Sequence, residues 1–235
     1  MDEPLVQPIS RQGVVDALVA RLRADVLAER YPPGAYLPPE RDLAARYGVT
    51  RTSLKHALVR LVETGLLETR HGVGTRVRDY KRDAGADLLP FLVAEAGPDW
   101  LAEIFQARRE IGALVAAAAA EHATAAQREH LRTLVDDVRA APTTDVAQQA
   151  ECAVHRTLAA ACRNRVYALL VNSLLRAYDE VRHLFAAPFA DPVAAAARLA
   201  GLVAAVAAGD RRAAHAAAEA YYVETERLML AQPAE

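Results

Sequence analysis

At 235 residues the chain has room for one large domain or two modest ones, each with its own core. With 53% hydrophobic and 25% charged residues it has the composition of an ordinary globular protein, and apolar runs such as residues 111–120 are too short to span a bilayer. The net charge of −2 hides an asymmetry: residues 1–82 hold 14 Lys and Arg against 10 Asp and Glu, while the remainder holds 14 against 20. A basic N-terminal part on an acidic remainder is what a nucleic-acid module attached to a separate domain would show. Two cysteines, Cys152 and Cys162, are too few for a disulfide framework and lack metal-motif spacing. They suit a reducing cytoplasm as small apolar fillers. The opening MDEPLVQPIS has acidic residues and prolines where a secretory leader has basic residues and an apolar core, so a cytoplasmic location is expected.

The first helical pattern covers about 10–30, with Val14, Val15, Leu18, Leu22, Val26 and Leu27 at three- and four-residue steps. Tyr31-Pro32-Pro33-Gly34 ends it. A short second helix starts at Leu37-Pro38-Pro39-Glu40, buries Leu43, Ala44 and Tyr47, and closes at Gly48. Thr50 is positioned to cap a third helix whose inward stripe is Leu54, Leu58, Leu61 and Val62, and Gly65 stops it. In GLLETRHGVGTRV, residues 65–77, two extended runs flank His71-Gly72-Val73-Gly74, a hairpin signal. Three helices and a two-stranded wing make a winged helix-turn-helix over 8–78. Residues 79–98 read as a linker passing into a short helix. Beyond it only helical patterns appear, at about 99–122, 124–140, 144–162, 165–186, 191–208 and 210–231, with breaks at Pro, Asn-containing and Gly-Asp pairs. In the fourth of these, Val166, Leu169, Leu170, Leu174, Ala177, Val181 and Leu184 form an apolar stripe. The expected fold is therefore mostly α, an N-terminal winged helix-turn-helix plus a C-terminal all-helical bundle over 99–232.

The third helix gathers hydrogen-bond donors at its start. At 100° per residue its leucines point one way while Thr52, His56 and Val59 point the other, flanked by Ser53 and Lys55. A major groove admits an α-helix and presents base edges and phosphates that such side chains can meet. Arg51, Thr52 and Ser53 occupy the first turn, the end that meets base edges in helix-turn-helix proteins, where free backbone N–H groups also attract phosphate. Arg41 opens the preceding helix, and Arg70, His71, Arg76 and Arg78 lie on the wing.

The stretch from Pro33-Gly34 through Leu37-Pro38, Glu40-Arg41, Leu43-Ala44, Gly48-Val49, Thr52, Leu61, Gly65-Leu66 and Gly72-Gly74-Thr75 resembles the DNA-binding domain of the GntR family of bacterial transcription regulators. The resemblance implies that Arg41, Thr50, Arg51, Thr52, Ser53 and Lys55 contact double-stranded operator DNA, and that the wing tip, His71 and Gly72, enters the minor groove. Lys55 stands where the family more often has arginine, which favours phosphate contact over two-point guanine reading. The all-helical remainder resembles the effector domain of the FadR-type subgroup, a bundle enclosing a ligand cavity. Arg108 matches an arginine on that domain's first long helix.

Many members of the subgroup hold a divalent metal through an acidic residue and a histidine one turn apart, plus two later histidines. Glu151 and His155 have the spacing, but the later positions hold Leu199 and Tyr221, so no metal and no other cofactor is expected. The resemblance then leaves Arg108 to pair a carboxylate or phosphate in two-point fashion, with Glu151, His155, Tyr178, Tyr221 and Tyr222 lining the same space. Tyr222 falls where the subgroup's fatty-acid regulators have a glycine near the ligand. The implied protein is a homodimeric repressor on palindromic half-sites, released by a small-molecule effector such as an acyl-CoA or a carboxylate. The alternative is a metal-assisted sensor of a small organic acid. No nucleophile elbow, phosphate-cradling Gly-rich loop or paired catalytic carboxylates appears, so an enzyme is not expected.

Overall fold

The computed structural model describes residues 11–94 and 98–231. The expected starts at residues 8 and 10, the opening stretch 1–10, Gly97 of the linker and the end of the bundle at 232 lie outside the described residues. The chain divides between Leu88 and Leu89 into two compact units.

The first unit begins with α1 (Arg11–Leu27), α2 (Glu40–Arg46) and α3 (Arg51–Glu63). Leu18, Val19, Leu22 and Val26 of α1 pack with Leu54, Ala57, Leu58 and Leu61 of α3, all of them buried. The first helix was expected to run to 30 but stops at Leu27, because Glu29 turns into the left-handed region at φ 54°. Tyr47, at the end of α2, is half-buried, and its hydroxyl donates to the buried Asp25 carboxylate at 2.5 Å, tying α2 to α1. Strands β1 (Leu67–Arg70) and β2 (Gly74–Val77) pair antiparallel with Leu67 opposite Val77 and Arg70 opposite Gly74. The wing has one more edge than the sequence suggested. Tyr36 bridges Arg76, with Leu37 N–H donating to Thr75 O at 2.8 Å and Val77 N–H to Ala35 O at 2.8 Å. This pairing ties the loop before α2 to the wing. A single turn, α4 (Tyr80–Asp83), and a 3-10 turn at Ala86–Leu88 follow.

The second unit holds α5 (Leu89–Ala94), α6 (Pro98–His122), α7 (Ala125–Arg139), α8 (Thr144–Ala161), α9 (Arg165–Val181), α10 (Pro192–Ala208) and α11 (Arg211–Leu230). Helix α6 packs on α11 and α8, α7 on α8 and α10, and α9 on α5 and α8. Starts are set by side chains that accept from first-turn N–H groups: Thr124, which with Gln127 forms a capping box, Thr143, Asn164, Asp191 and Asp210. Two helix ends share one clasp. The Arg128 guanidinium donates to Ala120 O at 3.2 Å, Ala123 O at 3.1 Å and Ala207 O at 2.8 Å, satisfying carbonyls that α6 and α10 leave open.

Two expectations need correcting. The pattern at 165–186 is not one helix: α9 ends at Val181 and 3-10 turns cover Arg182–Phe185 and Ala187–Phe189. The buried Gln148 amide meets the carbonyls of Arg182 and Phe185 at 2.8 and 3.1 Å, which fixes the tighter turn. Of the stripe expected along this helix only Ala177 and Val181 are buried, Leu170 and Leu174 are half-buried, and Val166, Leu169 and Leu184 are exposed, while the buried Val171 and Leu175 were not part of it. Leu184 leaves the stripe because the 3-10 turn breaks the 3.6-residue register. Val166 and Leu169 sit in the first turns, beside the exposed Asn164 cap.

Candidate functional site

Helix α3 is presented by a short turn. Gly48 adopts φ +64°, a left-handed conformation that lets the chain leave α2 and re-enter a helix within three residues. The Thr50 hydroxyl then accepts from Ser53 N–H at 3.1 Å and lies 3.0 Å from the Ser53 hydroxyl. Thr50 and Ser53 are thus engaged with each other, while Arg51, Thr52 and Lys55 are exposed, as are His56 and Val59 on the same outward side. The charge arrangement separates the two helices. Helix α2 carries Glu40 and Asp42 in its first turn, the usual complement to the positive end of the helix dipole. Helix α3 has no acidic residue in its first turn and carries Arg51 there. A cation at that end is electrostatically unfavourable until an anion meets it.

Arg41 is highly exposed and leans on its neighbour Asp42 at 3.2 Å. On the wing, Glu68 takes Arg70 at 3.0 Å and Arg76 at 2.8 Å. Those two guanidinium groups hold its carboxyl below the usual range and are in turn partly neutralised by it. Arg78 pairs with Asp83 at 3.4 Å. His71 and Gly72 form the exposed hairpin tip, with Gly72 at φ +76°. The first unit therefore offers donors of two kinds: those on α3 and the wing tip that face outward, and wing arginines already paired with carboxylates.

The second unit holds a partly open cavity of about 60 Å³ between α6, α8, α9 and α11. Its walls are mostly aliphatic and aromatic, including Ile104, Phe105, Leu175, Val181, Phe185 and Met229. At one end sits a polar cluster centred on Glu151, which is 1% exposed. One oxygen, Oε1, receives Arg108 Nη2 at 3.2 Å, the Tyr221 hydroxyl at 2.6 Å and His155 Nε2 at 2.6 Å. Arg108 Nη1 also donates to the Thr225 hydroxyl at 3.3 Å, and the guanidinium lies over the Tyr222 ring, 4.8 Å from its centroid. The Tyr222 hydroxyl is 3.1 Å from His155 Nδ1, and the two rings stack at 5.4 Å. Burial pushes the Glu151 carboxyl upward, but His155, through charge and hydrogen bond, Arg108 and the Tyr221 bond together bring it down to about 2. Burial also pushes the phenols of Tyr178, Tyr221 and Tyr222 up, so all three act as neutral donors or acceptors near neutrality.

Of the six expected effector residues, Arg108, Glu151, His155, Tyr178 and Tyr222 line the cavity. Tyr221 is not among its lining residues and instead holds Glu151 through its hydroxyl. The Tyr178 hydroxyl does not join the Glu151 cluster, since it meets Gln148 Nε2 at 2.8 Å. Gln148, Thr225, Phe105 and Phe185 were not anticipated, being ordinary helix residues with no spacing that marks them. Gly112 left a signal. It is a glycine inside the alanine-rich α6, where alanine would be more stable, and a Cβ there would lie 2.1 Å from the Tyr222 ring.

The donor set does not fit the divalent metal of the subgroup. Both ring nitrogens of His155 are engaged, one with Glu151 and one with Tyr222. Glu151 Oε1 already carries three donors, and the buried Leu199, where the resemblance led a further ligand to be expected, offers no lone pair. Among the described residues no group of three or more His, Cys, Asp or Glu side chains is arranged to hold an ion.

A winged helix-turn-helix with an exposed donor-rich recognition helix, on the same chain as a helical bundle with a cavity, defines a DNA-binding regulator. Residues 14–77 match the family described as "Bacterial regulatory proteins, gntR family" and residues 103–224 match the FCD domain. The HTH-type transcriptional regulator Rv0494 of Mycobacterium tuberculosis is 37% identical over 92% of this chain and 89% of its own length. The fatty acid metabolism regulator protein of Pasteurella multocida is 32% identical over 82% of this chain and 78% of its own length. The solved structure of Lar from Listeria monocytogenes shares the fold, with a TM-score of 0.63 at 14% identity over 97% of this chain and 100% of that one. The chain belongs to the GntR family, in the group whose second domain is of the FCD, or FadR, type. It is a DNA-binding transcription regulator, as its relatives are, and not an enzyme. No helix among the described residues is long and apolar enough to cross a membrane.

Proposed function

We propose that this protein is a homodimeric repressor whose residues 8–78 read palindromic operator half-sites and whose residues 99–232 bind an amphiphilic effector and dimerise, joined through 79–98. Arg41, Arg51, Thr52, Lys55, His71 and Gly72 would meet DNA, with Thr50 and Ser53 shaping the helix end that does so. Two half-sites tolerate few spacings, so a ligand that favours a different placement of the two winged helices lowers operator affinity.

The observation that carries the effector reading is the apolar cavity with its polar groups gathered at one end around Arg108. That division suits a ligand with an alkyl body and a polar or anionic head. The fatty acid metabolism regulators among the relatives make a fatty acyl-CoA the first candidate. A metal-assisted reading finds no support in the donor set. The test is fluorescence anisotropy of the full chain on DNA from upstream of its own gene, titrated with palmitoyl-CoA and, separately, with free CoA. Release by palmitoyl-CoA alone at micromolar concentration is expected. Tight DNA binding that ignores palmitoyl-CoA would overturn the acyl-CoA reading and leave the DNA-binding function standing.

A further inference from the structure

The wing buries its apolar side chains with one exception. Leu67 of β1 and Val77 of β2 are at most 1% exposed, and Thr75 is buried with its hydroxyl 3.0 Å from that of Thr69. Val73, the last residue of the tip between Arg70 and Gly74, is 62% exposed. Its backbone is fixed from both sides. Val73 N–H donates to Arg70 O at 3.1 Å, and Gly72 and Gly74 take φ of +76° and +129°, which a residue with a Cβ rarely adopts. A β-branched side chain is also stiff at χ1, so the isopropyl group is presented to solvent in few conformations.

The polar groups of the hairpin are arranged differently on its strands and at its tip. On the strands Glu68 engages both Arg70 and Arg76. Beyond Arg70 the turn back to Thr75 carries only His71 and Val73 as side chains, because positions 72 and 74 are glycine. A hairpin end this narrow fits the minor groove of B-DNA, which is about 6 Å wide. The floor of that groove shows acceptors alone at A·T pairs, while each G·C pair adds the guanine N2 amino donor. His71 can donate to the A·T acceptors, whereas Val73 has no atom that accepts from the amino group. A guanine amino group against the isopropyl loses its water and gains no partner, which is unfavourable. It also stands out from the groove floor, so an A·T pair leaves more depth for the side chain.

We propose that Val73 is a specificity-determining residue, one that admits A·T and rejects G·C where the wing tip meets the minor groove of the operator. This rests on the reading above that His71 and Gly72 meet DNA, and it adds a base preference to that contact. Base selection is then divided between two elements. Helix α3 reads edges in the major groove with hydrogen-bond donors, and the wing reads the minor groove by exclusion.

The two grooves can be separated chemically, because inosine·cytosine has the major-groove face of G·C but lacks the N2 amino group. The tightest duplex that the full chain recovers from a randomised pool is remade with each A·T pair changed, in both half-sites at once, to G·C or to inosine·cytosine. Fluorescence anisotropy then gives the affinities. At one or more positions G·C is expected to weaken binding about tenfold and inosine·cytosine less than about twofold. Val73→Thr keeps the shape of the side chain and adds a hydroxyl that can accept from the amino group. The preference for inosine·cytosine over G·C at those positions should then fall from about tenfold to about twofold. A preference that does not fall in Val73→Thr would overturn the role of Val73 and leave the wing in the groove, with His71 or groove width as the source. Equal effects of the two substitutions at every position would overturn the minor-groove reading of the wing, and the proposal with it.

Discussion

The recognition helix and the Glu151 cluster use similar side chains in opposite ways. On α3 an arginine, a threonine, a lysine and a histidine stand in water at the start of a helix, with no acidic residue in its first turn. In the bundle, Arg108, Thr225, His155 and two tyrosines converge on one buried carboxylate, and each polar group answers another. Exposed donors cost little while solvated, so a surface can hold them ready for an anion that arrives later. Buried donors have no such freedom, because an unpaired charge in a low-dielectric interior is strongly destabilising. The first region therefore contributes mainly to binding. The second couples binding to stability, since a ligand head entering beside Arg108 must compete with Glu151.

The sharpest way to break this contrast is to remove the carboxylate. Glu151→Ala leaves the Arg108 charge without its buried partner and should cost about 3–5 kcal/mol of stability, read from urea denaturation of the full chain by circular dichroism. A cost below about 1 kcal/mol would mean that the cluster is solvated and the cavity open. Acid gives a second view of the same group. Its carboxyl is depressed from 4.5 to about 2 in the folded protein, so its contribution is fully present above 4.5 and is lost as pH falls toward 2. The wild type should therefore lose more stability than Glu151→Gln over that interval. Parallel losses would show that other carboxylates govern acid unfolding.

How much of this was legible in the sequence differs between the two regions for a physical reason. The winged helix is built from contacts close in sequence: Thr50 caps Ser53 three residues on, Gly48 turns the chain, and β1 and β2 flank a three-residue tip. Patterns of that range can be read directly. The third edge at Tyr36 was missed because it joins a loop to a strand forty residues later. In the bundle the helix bounds were legible within one or two residues except at the end of α9, which the pattern placed at 186 and the fold places at Val181, since the breaks that bound helices are also local. The cluster was not legible as a geometry, because Arg108, Glu151 and Tyr221 come from three helices and meet only after packing. Residue types named several of its members, but Thr225 and Gln148 had no mark of their own. Gly112 passed unread in the sequence, although a glycine inside an alanine-rich helix marks a close approach, here of the Tyr222 ring.

On the recognition helix the expected order of effects reverses. Arg51→Ala should weaken operator binding by about 1–3 kcal/mol and leave the unfolding midpoint unchanged or slightly raised, since it removes a cation from the positive end of a helix. Anisotropy at several salt concentrations separates its roles. A uniform loss across operator variants, with a salt slope shallower by about one, marks a phosphate contact, whereas a loss confined to one base position marks base reading. A stability loss above about 1 kcal/mol would place Arg51 in the fold rather than at the interface.

Thr50 lies between the two regimes, because it is a cap within the fold and a neighbour of the DNA-facing turn. Thr50→Ala removes the acceptor for Ser53 N–H and should cost about 1 kcal/mol of stability. Thr50→Asp keeps an acceptor there and places a carboxylate at the positive end of α3, so stability should be retained or slightly improved. The same carboxylate would lie where a phosphate is expected, and operator affinity should fall. If Thr50→Asp keeps both stability and DNA affinity, the N-terminus of α3 does not approach the backbone of the duplex, and the donors gathered there face some other partner. If stability holds while affinity drops, the cap and the contact are separate contributions from one position. That separation is available only because the hydroxyl is committed to Ser53 while its neighbours Arg51 and Thr52 remain exposed.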